Sequence, residues 1–255
     1  MKFYCYGNNT KPTIMLFPGT WCHYTSFQEV IPLLEEDFYV IAVSYDGFDE
    51  TEDTIFPDMI TETGKIENYI KENFGGRLFA AYGCSLGGSF VGLLIQRKNI
   101  HIEHGFIGSS DLDQAGKFKA WLMTKLFGGM MTKMLQTGAY PRFMKKGFEK
   151  NLETEYGRKF YDMLGIGKGG FPFIKKESAM NQFYSDLITR LEEQIGAQGT
   201  TIHVFYAMKM GEEYLKRYRK HFANPDIREH DMRHEELLIC YPKEWAEEIR
   251  RCCFK

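Results

Sequence analysis

Residues 83–87 read Gly-Cys-Ser-Leu-Gly, and this G-x-S-x-G pattern constrains the fold more than any other part of the sequence. An apolar run at 78–82 precedes it, and a second apolar run at 88–94 follows it. A serine between a buried strand and a helix lies on a tight turn, where flanking glycines remove side chains that would clash with neighbouring elements. The pattern predicts a nucleophile elbow at Ser85; a plain packing turn is the alternative. In an elbow, the Leu86 N–H would be one oxyanion donor.

The cysteines form no C-x-x-C pair and no His/Cys spacing suited to zinc. Their pattern indicates free thiols in a reducing cytoplasm, and no metal site is predicted. Cys84 is adjacent to Ser85, and we expect it to pack at the end of the strand; a nucleophilic Cys84 is the minor alternative.

Strands and helices alternate along most of the chain. Strands are predicted at residues 2–6, 13–17, 38–45, 78–83, 102–109, 201–207 and 227–231. Several of them are continuous apolar runs, which is typical of parallel strands covered by helices on both faces. Helical patterns lie between them, for example at 26–36 and 58–74. We therefore predict an α/β fold with a doubly wound, mostly parallel sheet.

Residues 113–195 interrupt this alternation with helical patterns alone. We expect a helical cap there, inserted into a core formed by residues 1–112 and 196–255. The segment contains seven methionines and carries 14 Lys/Arg against 9 Asp/Glu, a net charge of +5. Met130 and Met134 are predicted to wall a substrate pocket, since thioether side chains adapt to varied shapes; ordinary packing between cap helices is the alternative. The basic excess is read as a solvated face, with attraction of anionic substrates as a minor alternative.

Length, hydrophobic content and net charge are typical of a globular protein with a large core. A chain of 255 residues with 44% hydrophobic content can bury a large core. Its net charge of -2 gives no reason to expect nucleic acid as a partner. No signal-peptide pattern and no apolar stretch long enough to span a membrane is found, so a cytoplasmic location is expected. No cofactor is predicted, and the oligomeric state is left open.

Two further segments carry candidate site residues. His234 lies in a loop between the last predicted strand and the last helix, from which it can reach a serine hydroxyl as a general base. His23 is the alternative base. The loop after strand 13–17 contains Thr20, whose N–H would be the second oxyanion donor, and Trp21, which is the alternative donor or a pocket wall.

The chain resembles the α/β-hydrolase family along nearly its whole length. The resemblance rests on four motifs: Pro-Gly-Thr at 18–20, Asp-Gly at 46–47, the elbow at 83–87 and His-Glu-Glu at 234–236. It implies a mostly parallel sheet, a cap after the family's sixth strand (here 102–109), and a serine–histidine–acid triad in which the serine comes first and the histidine last.

One departure from the family concerns the acid of the triad. Met210 stands where the family usually places it. Some family members carry the acid after the sixth strand instead, which here is Asp111, and this is the expected acid. Glu212, near the end of the strand at 201–207, is the alternative, and a triad without either residue is also left open.

These features predict a serine hydrolase that cleaves a carboxylic ester or thioester of a small-molecule acyl substrate. Ser85 would attack the carbonyl while His234 takes its proton. An acyltransferase or a small-peptide hydrolase would use the same residues, and a ligand-binding member of the fold without turnover is the alternative from another class.

Overall fold

Seven strands form one sheet in the computed structural model, which describes residues 1–112 and 114–254. They are β1 (Lys2–Tyr6), β2 (Thr13–Phe17), β3 (Tyr39–Ser44), β4 (Arg77–Gly83), β5 (His101–Ile107), β6 (Thr201–Ala207) and β7 (Asp226–His230). Their order is β1-β3-β2-β4-β5-β6-β7, and all pairs are parallel except β1 with β3. The predicted α/β fold with a mostly parallel sheet is confirmed.

Helices connect the strands. They are α1 (Ile31–Leu34), α2 (Met59–Phe74), α3 (Leu86–Arg97), α4 (Lys117–Thr137), α5 (Lys145–Leu152), α6 (Glu155–Met163), α7 (Lys176–Ile188), α8 (Glu212–His221), α9 (Glu236–Cys240) and α10 (Pro242–Cys253). Short 3-10 turns lie at Tyr24–Phe27, Arg142–Met144 and Met208–Met210.

The central strands are buried on both faces, as their continuous apolar sequences indicate. In β2, Met15 and Phe17 enter one hydrophobic cluster while Ile14 and Leu16 enter another. Successive side chains of a strand point to opposite faces, so the two clusters are the packed layers on the two sides of the sheet. Each fully buried apolar side chain of this size contributes about 1.5–3 kcal/mol of transfer free energy to the folded state.

The helix expected at 26–36 is shorter than predicted. The structure has a 3-10 turn at Tyr24–Phe27 and then only the four residues of α1. Pro32 lies in the first turn of α1, where a missing N–H is tolerated. Inside a longer helix its ring would clash with the carbonyl oxygen four residues earlier, so a continuous helix cannot run through this position. By contrast, α2 begins and ends close to its prediction, because the Asp58 carboxylate accepts from the Thr61 N–H and Gly75 adopts a left-handed φ of 60°.

Between β5 and β6, the residues that the structure describes form α4–α7 and no strand. Helix α4 packs against α7. The buried side of α4 contains a stripe of small residues, namely Ala120, Thr124, Gly128 and Thr132. The division of the chain into a core and a cap stays a prediction. Asp113, the first residue of the predicted cap, and Lys255, the last residue of the predicted core, lie outside the described residues.

Within the described residues, no helix has both the length and the apolar character needed to cross a membrane.

Candidate active site

Ser85 lies on a strained turn between β4 and α3. Its backbone has φ 50° and ψ −114°, an unfavourable combination for a residue with a side chain. The glycines around it are required by space: a Cβ at Gly87 would lie 2.1 Å from the Phe17 carbonyl oxygen, and one at Gly83 would lie 2.1 Å from the Gly87 carbonyl carbon. The strain and the close packing are the features expected of a nucleophile elbow.

The elbow rests on the chain that follows β5. The Ser110 hydroxyl donates to the Ser85 carbonyl oxygen, and the Gly108 N–H donates to the Gly83 carbonyl oxygen at 2.8 Å. Leu86 is the first residue of α3, and N–H groups in a first helical turn have no acceptor within the helix. Its N–H therefore has no acceptor within the helix, and its role as an oxyanion donor stays a prediction.

A buried carboxylate, that of Glu235, lies directly behind the backbone of Ser85. Its Oε1 accepts from the Ser85 N–H at 2.9 Å and from the Ser109 N–H at 2.7 Å, and its Oε2 accepts from the Tyr82 hydroxyl at 2.7 Å. The residue is only 4% exposed. The Glu235 N–H donates in turn to the Ser109 hydroxyl at 3.0 Å. This carboxylate ties the elbow to the chain after β5 and to the loop that carries His234.

No local pattern in the sequence assigns a role to Glu235. It follows the predicted base His234, but nothing local distinguishes it from Glu236. One feature of the sequence does point to a buried acid here. Glu235 directly follows the predicted base, and the apolar run Leu237–Ile239, which must enter the core, comes two residues later.

Replacement of Glu235 by alanine is expected to lower the free energy of unfolding by about 3 kcal/mol or more. It would leave the Ser85 N–H, the Ser109 N–H and the Tyr82 hydroxyl unpaired, and each buried unpaired group costs about 1–3 kcal/mol. Glu235→Gln keeps an amide oxygen as acceptor and should lose less. Urea unfolding of both variants, with Tyr82→Phe as a control that removes one bond, measures this. Equal stability of Glu235→Ala and the wild type would contradict the role.

His234 shares a cavity with Ser85. A space of about 250 Å³ is lined by both residues, by Cys84 and by the loop 19–22. The position of His234 is fixed from two sides: the Tyr156 hydroxyl donates to its carbonyl oxygen at 3.0 Å, and the Phe160 ring lies edge-on to its imidazole with centroids 6.4 Å apart. The loop after β7 thus delivers the imidazole to the same cavity as the serine.

The methionines that line this cavity are Met131 and Met163, and Phe160 and Leu164 complete its apolar wall. The expectation for Met130 and Met134 is not met. Met134 is 2% exposed and lies inside a hydrophobic cluster that also contains the cavity-lining Cys22 and Leu164, and Met130 packs against this cluster. Neither methionine lines the cavity itself. Successive residues of α4 differ in direction by about 100°, so the side chain next to Met130 can face the cavity while Met130 does not.

The loop after β2 borders the cavity. Strands β2 and β5 pair with opposite edges of β4, so this loop and the segment after β5 follow strands on opposite sides of the one that leads to Ser85. Thr20, which is predicted as an oxyanion donor, and Trp21, which is predicted as a pocket wall or the alternative donor, both line the cavity. The Trp21 N–H, the alternative oxyanion donor, donates to Gln182 Oε1 of α7 at 2.6 Å, and the Trp21 indole N–H donates to the Ala179 carbonyl oxygen at 2.8 Å. Both N–H groups of Trp21 are thus engaged by α7, and the oxyanion role of Thr20 stays a prediction.

A second carboxylate, that of Asp186, borders this loop. The Thr20 hydroxyl donates to Asp186 Oδ2 at 3.3 Å. Burial, and then the nearby negative charge of Asp111, raise the pKa of Asp186 to about 7, while the bond from Thr20 opposes the shift. Asp186 therefore retains its proton well above the usual range of a carboxyl group.

Stability is expected to depend on pH through Asp186. In the unfolded chain this group ionises near its ordinary pKa of 3.8, and in the folded chain it ionises near 7. Between these values the folded state binds the extra proton, so its stability falls as pH rises and becomes constant above about 7. Asp186→Asn should remove this fall, and the variant should gain stability relative to the wild type between pH 5 and pH 8. Glu62, whose pKa burial also raises to about 7, titrates in both proteins. Parallel curves from urea unfolding at several pH values would contradict the assignment.

The two alternatives for base and nucleophile do not fit the geometry. His23 is buried, and its ring nitrogens contact Glu50 Oε2 and the Thr25 hydroxyl, each at 2.9 Å. Burial raises the pKa of the Cys84 thiol well above its usual value, and the neighbouring Glu235 carboxylate adds to the shift. A nucleophilic cysteine needs the opposite shift.

The expected contact between Asp111 and His234 is not found. In the described part of the chain, the histidines paired with carboxylates are His23, His203 and His230. The residues after β5 turn back to hold the elbow and Glu235, and the chain then leads Asp111 to an exposed position where its carbonyl oxygen accepts from Arg217 at 3.3 Å.

The alternative acid, Glu212, is exposed in the first turn of α8. Neither carboxylate bonds to the His234 ring, so neither has the contact that a triad acid needs.

One group of metal-ligand types lies at the other end of the sheet. Ligand atoms of His203, Asp226 and Cys252 lie within 4.8 Å of one another. The Arg228 guanidinium donates to Asp226 Oδ2 at 2.9 Å and 3.1 Å, and His203 Nδ1 lies 2.9 Å from the same oxygen. The guanidinium of Arg228 already neutralises the Asp226 carboxylate, and its positive charge would repel a metal ion. The three residues therefore do not fit a cation site.

Comparison with known proteins places the fold. The sequence matches no protein-family model, and no curated protein sequence matches it. Solved structures do match. A crystal structure of an α/β-hydrolase family protein from Desulfitobacterium hafniense is 16% identical, with a TM-score of 0.78 over 98% of this chain and 99% of that one.

Two further structures match over similar lengths. MenH from S. aureus is 11% identical, with a TM-score of 0.73 over 99% of both chains. A thermophilic esterase from Thermogutta terrifontis is 13% identical, with a TM-score of 0.69 over 98% of this chain and 92% of that one. Together with the strained serine after β4 and the order of the strands, these likenesses show that the chain has the α/β-hydrolase fold.

Proposed function

We propose that this protein is a serine hydrolase that cleaves a carboxylic ester or thioester through an acyl-enzyme on Ser85. The observation that carries the proposal is the shared cavity: a serine on a strained elbow and the His234 imidazole line the same mainly apolar space. A nucleophile and a base on different elements meet in this way when one must deprotonate the other. Similarity to structures described as hydrolases and esterases supports the same class of reaction.

The residues suggest the following steps. The Ser85 hydroxyl attacks the acyl carbonyl carbon while His234 accepts its proton, and the negative charge moves to the carbonyl oxygen. The Leu86 and Thr20 N–H groups stabilise that oxygen. The tetrahedral intermediate collapses, the bond to the alkoxide or thiolate breaks, and His234 protonates the leaving group. Water, deprotonated by His234, then attacks the acyl carbonyl carbon. The bond to the Ser85 oxygen breaks, His234 returns its proton to that oxygen, and the acid is released.

Turnover of p-nitrophenyl esters and acyl-CoA thioesters of increasing acyl length tests this proposal. A cavity of about 250 Å³ is small for a ligand site, so short acyl groups should be preferred. Hydrolysis of neither series would favour the other candidate, a ligand-binding member of the fold. The observation that favours that candidate is the missing carboxylate at the His234 ring in the described residues. An acyltransferase would instead show turnover that depends on an added alcohol or thiol acceptor.

Because no described carboxylate bonds to the His234 ring, we expect Asp111→Asn and Glu212→Gln each to reduce kcat by less than about tenfold. Loss of a true triad acid costs about ten-thousand-fold, since the histidine tautomer and the imidazolium lose their support. Steady-state kinetics of both variants, with melting curves as a control for folding, measure this. A loss of the larger size in one variant would identify that residue as the acid.

A further inference from the structure

Helix α4 buries small residues and exposes large apolar ones, which is the opposite of the usual pattern of a surface helix. Its inward stripe consists of the small residues Ala120, Thr124, Gly128 and Thr132. Its outward stripe, two residues away along the helix, contains Phe118, Leu122 and Leu126, which are 76%, 41% and 64% exposed. Surface helices normally direct their large apolar side chains inward. Trp121, which is 49% exposed and stacks with Phe118, widens the exposed apolar face.

The same region is positively charged. Residues 114–148 contain seven basic residues and no acidic residue. Four of them are on α4, namely Lys117, Lys119, Lys125 and Lys133, and all four are exposed. The segment that follows α4 adds exposed Arg142, Lys145 and Lys146 beside Phe143, which is 79% exposed. Exposed aromatic and aliphatic side chains are thus interspersed with cations.

We propose that this surface of α4 and the following 3-10 turn, which we call the α4 surface, docks on a bilayer that contains anionic phospholipids. Helices that lie in the membrane interface combine Trp, Phe and Leu on one side with Lys and Arg at its borders. The rings and aliphatic chains enter the acyl boundary, and the long lysine side chains reach the phosphates. The proposal goes beyond the proposed hydrolase activity and does not depend on it.

Charge argues against a second copy of this chain as the occupant. A two-fold dimer places the same surface of each copy against the other. Lys119 and Lys125 of one copy would then face the same array of lysines, and like charges brought together at an interface cost several kcal/mol as a class. An anionic bilayer supplies the opposite charge and an apolar layer at once. Since Met131 of the same helix lines the Ser85 cavity, docking would hold the wall of that cavity at the lipid surface.

Co-sedimentation with vesicles tests the proposal. One vesicle is phosphatidylcholine alone, and the other has about a third of its lipid replaced by phosphatidylglycerol. The protein should bind the anionic vesicles at least about tenfold more tightly, and added salt should weaken this binding. The fluorescence of Trp121 should shift to the blue on binding. Trp121→Phe should lose most of that shift, because Trp245 is fully buried and the Trp21 indole is held by α7 rather than exposed on the α4 surface. The variant should still sediment, because phenylalanine keeps an apolar ring at this position.

Variants separate the α4 surface from general stickiness. The double variant Phe118→Asp/Leu126→Asp should bind at least about tenfold more weakly. Tyr241→Asp, which changes a 41% exposed residue at the start of α10, should bind like the wild type. The double variant Lys119→Glu/Lys125→Glu should lose the preference for anionic lipid. Both lysines are exposed, so this variant should fold and still tests the proposal if Phe118→Asp/Leu126→Asp does not fold.

Three results would overturn the proposal. The wild type would fail to sediment with phosphatidylglycerol vesicles; or both double variants would bind them as the wild type does; or the protein would form a dimer in solution that Phe118→Asp/Leu126→Asp abolishes, which would assign the α4 surface to a second copy.

Discussion

Ser85→Ala is expected to reduce turnover of the best ester or thioester on the order of a million-fold. The substitution removes the hydroxyl that is proposed to form the acyl-enzyme, and loss of a nucleophile that acts with its base as one unit has an effect of this size. The fold should remain intact, because alanine fits the space of serine and the bonds that hold the elbow involve the backbone of residue 85. Initial rates and far-ultraviolet circular dichroism measure the two effects.

A matched control is available on the same helix. Ser89 is buried in α3 and does not line the cavity, so Ser89→Ala should retain turnover within about tenfold. A Ser85→Ala variant that kept even about a tenth of the wild-type rate would contradict the assignment of the nucleophile.

His234→Ala is expected to lose turnover by a similar factor, since a nucleophile and its base act as one unit. Without the imidazole, the Ser85 hydroxyl keeps its proton and the leaving group has no acid to protonate it. Combining both substitutions should therefore cost hardly more than either alone. The three rates, measured on the same substrate, give this comparison directly.

His23→Gln serves as the control for the base. His23 follows the cavity-lining Cys22 in the sequence, but its ring nitrogens contact Glu50 and Thr25. Its replacement should change kcat by less than about tenfold once folding is verified. Near-complete loss in His23→Gln, with activity retained in His234→Ala, would exchange the two roles.

The parts of the fold that depend on local sequence could be predicted. All seven strands lie where they are predicted, to within two residues at each end, and several of them are continuous apolar runs. The elbow was also predictable, because tight turns require glycine and the pattern records this directly at Gly83 and Gly87. The failure at 26–36 has a local cause as well, since Pro32 divides a helical pattern that was read by periodicity alone.

The parts that depend on distant contacts could not be predicted. Glu235 bonds to residues 126 and 150 positions away, and one sequence does not encode such pairings visibly. Asp111 was chosen for its place at the end of a strand, but the route of the following chain carries it to the surface. Likewise, Met131 and Met130 differ only in direction on α4, and that direction depends on how the helix packs.

The central claim is that Ser85 is a nucleophile activated by His234, and covalent labelling tests it most directly. The protein is incubated with a fluorophosphonate, digested, and its peptides are sequenced by mass spectrometry. The account predicts one rapid adduct on Ser85, absent from Ser85→Ala and slowed at least about a hundredfold in His234→Ala. Unmodified protein after long incubation, or an adduct on another residue with Ser85 free, would contradict it.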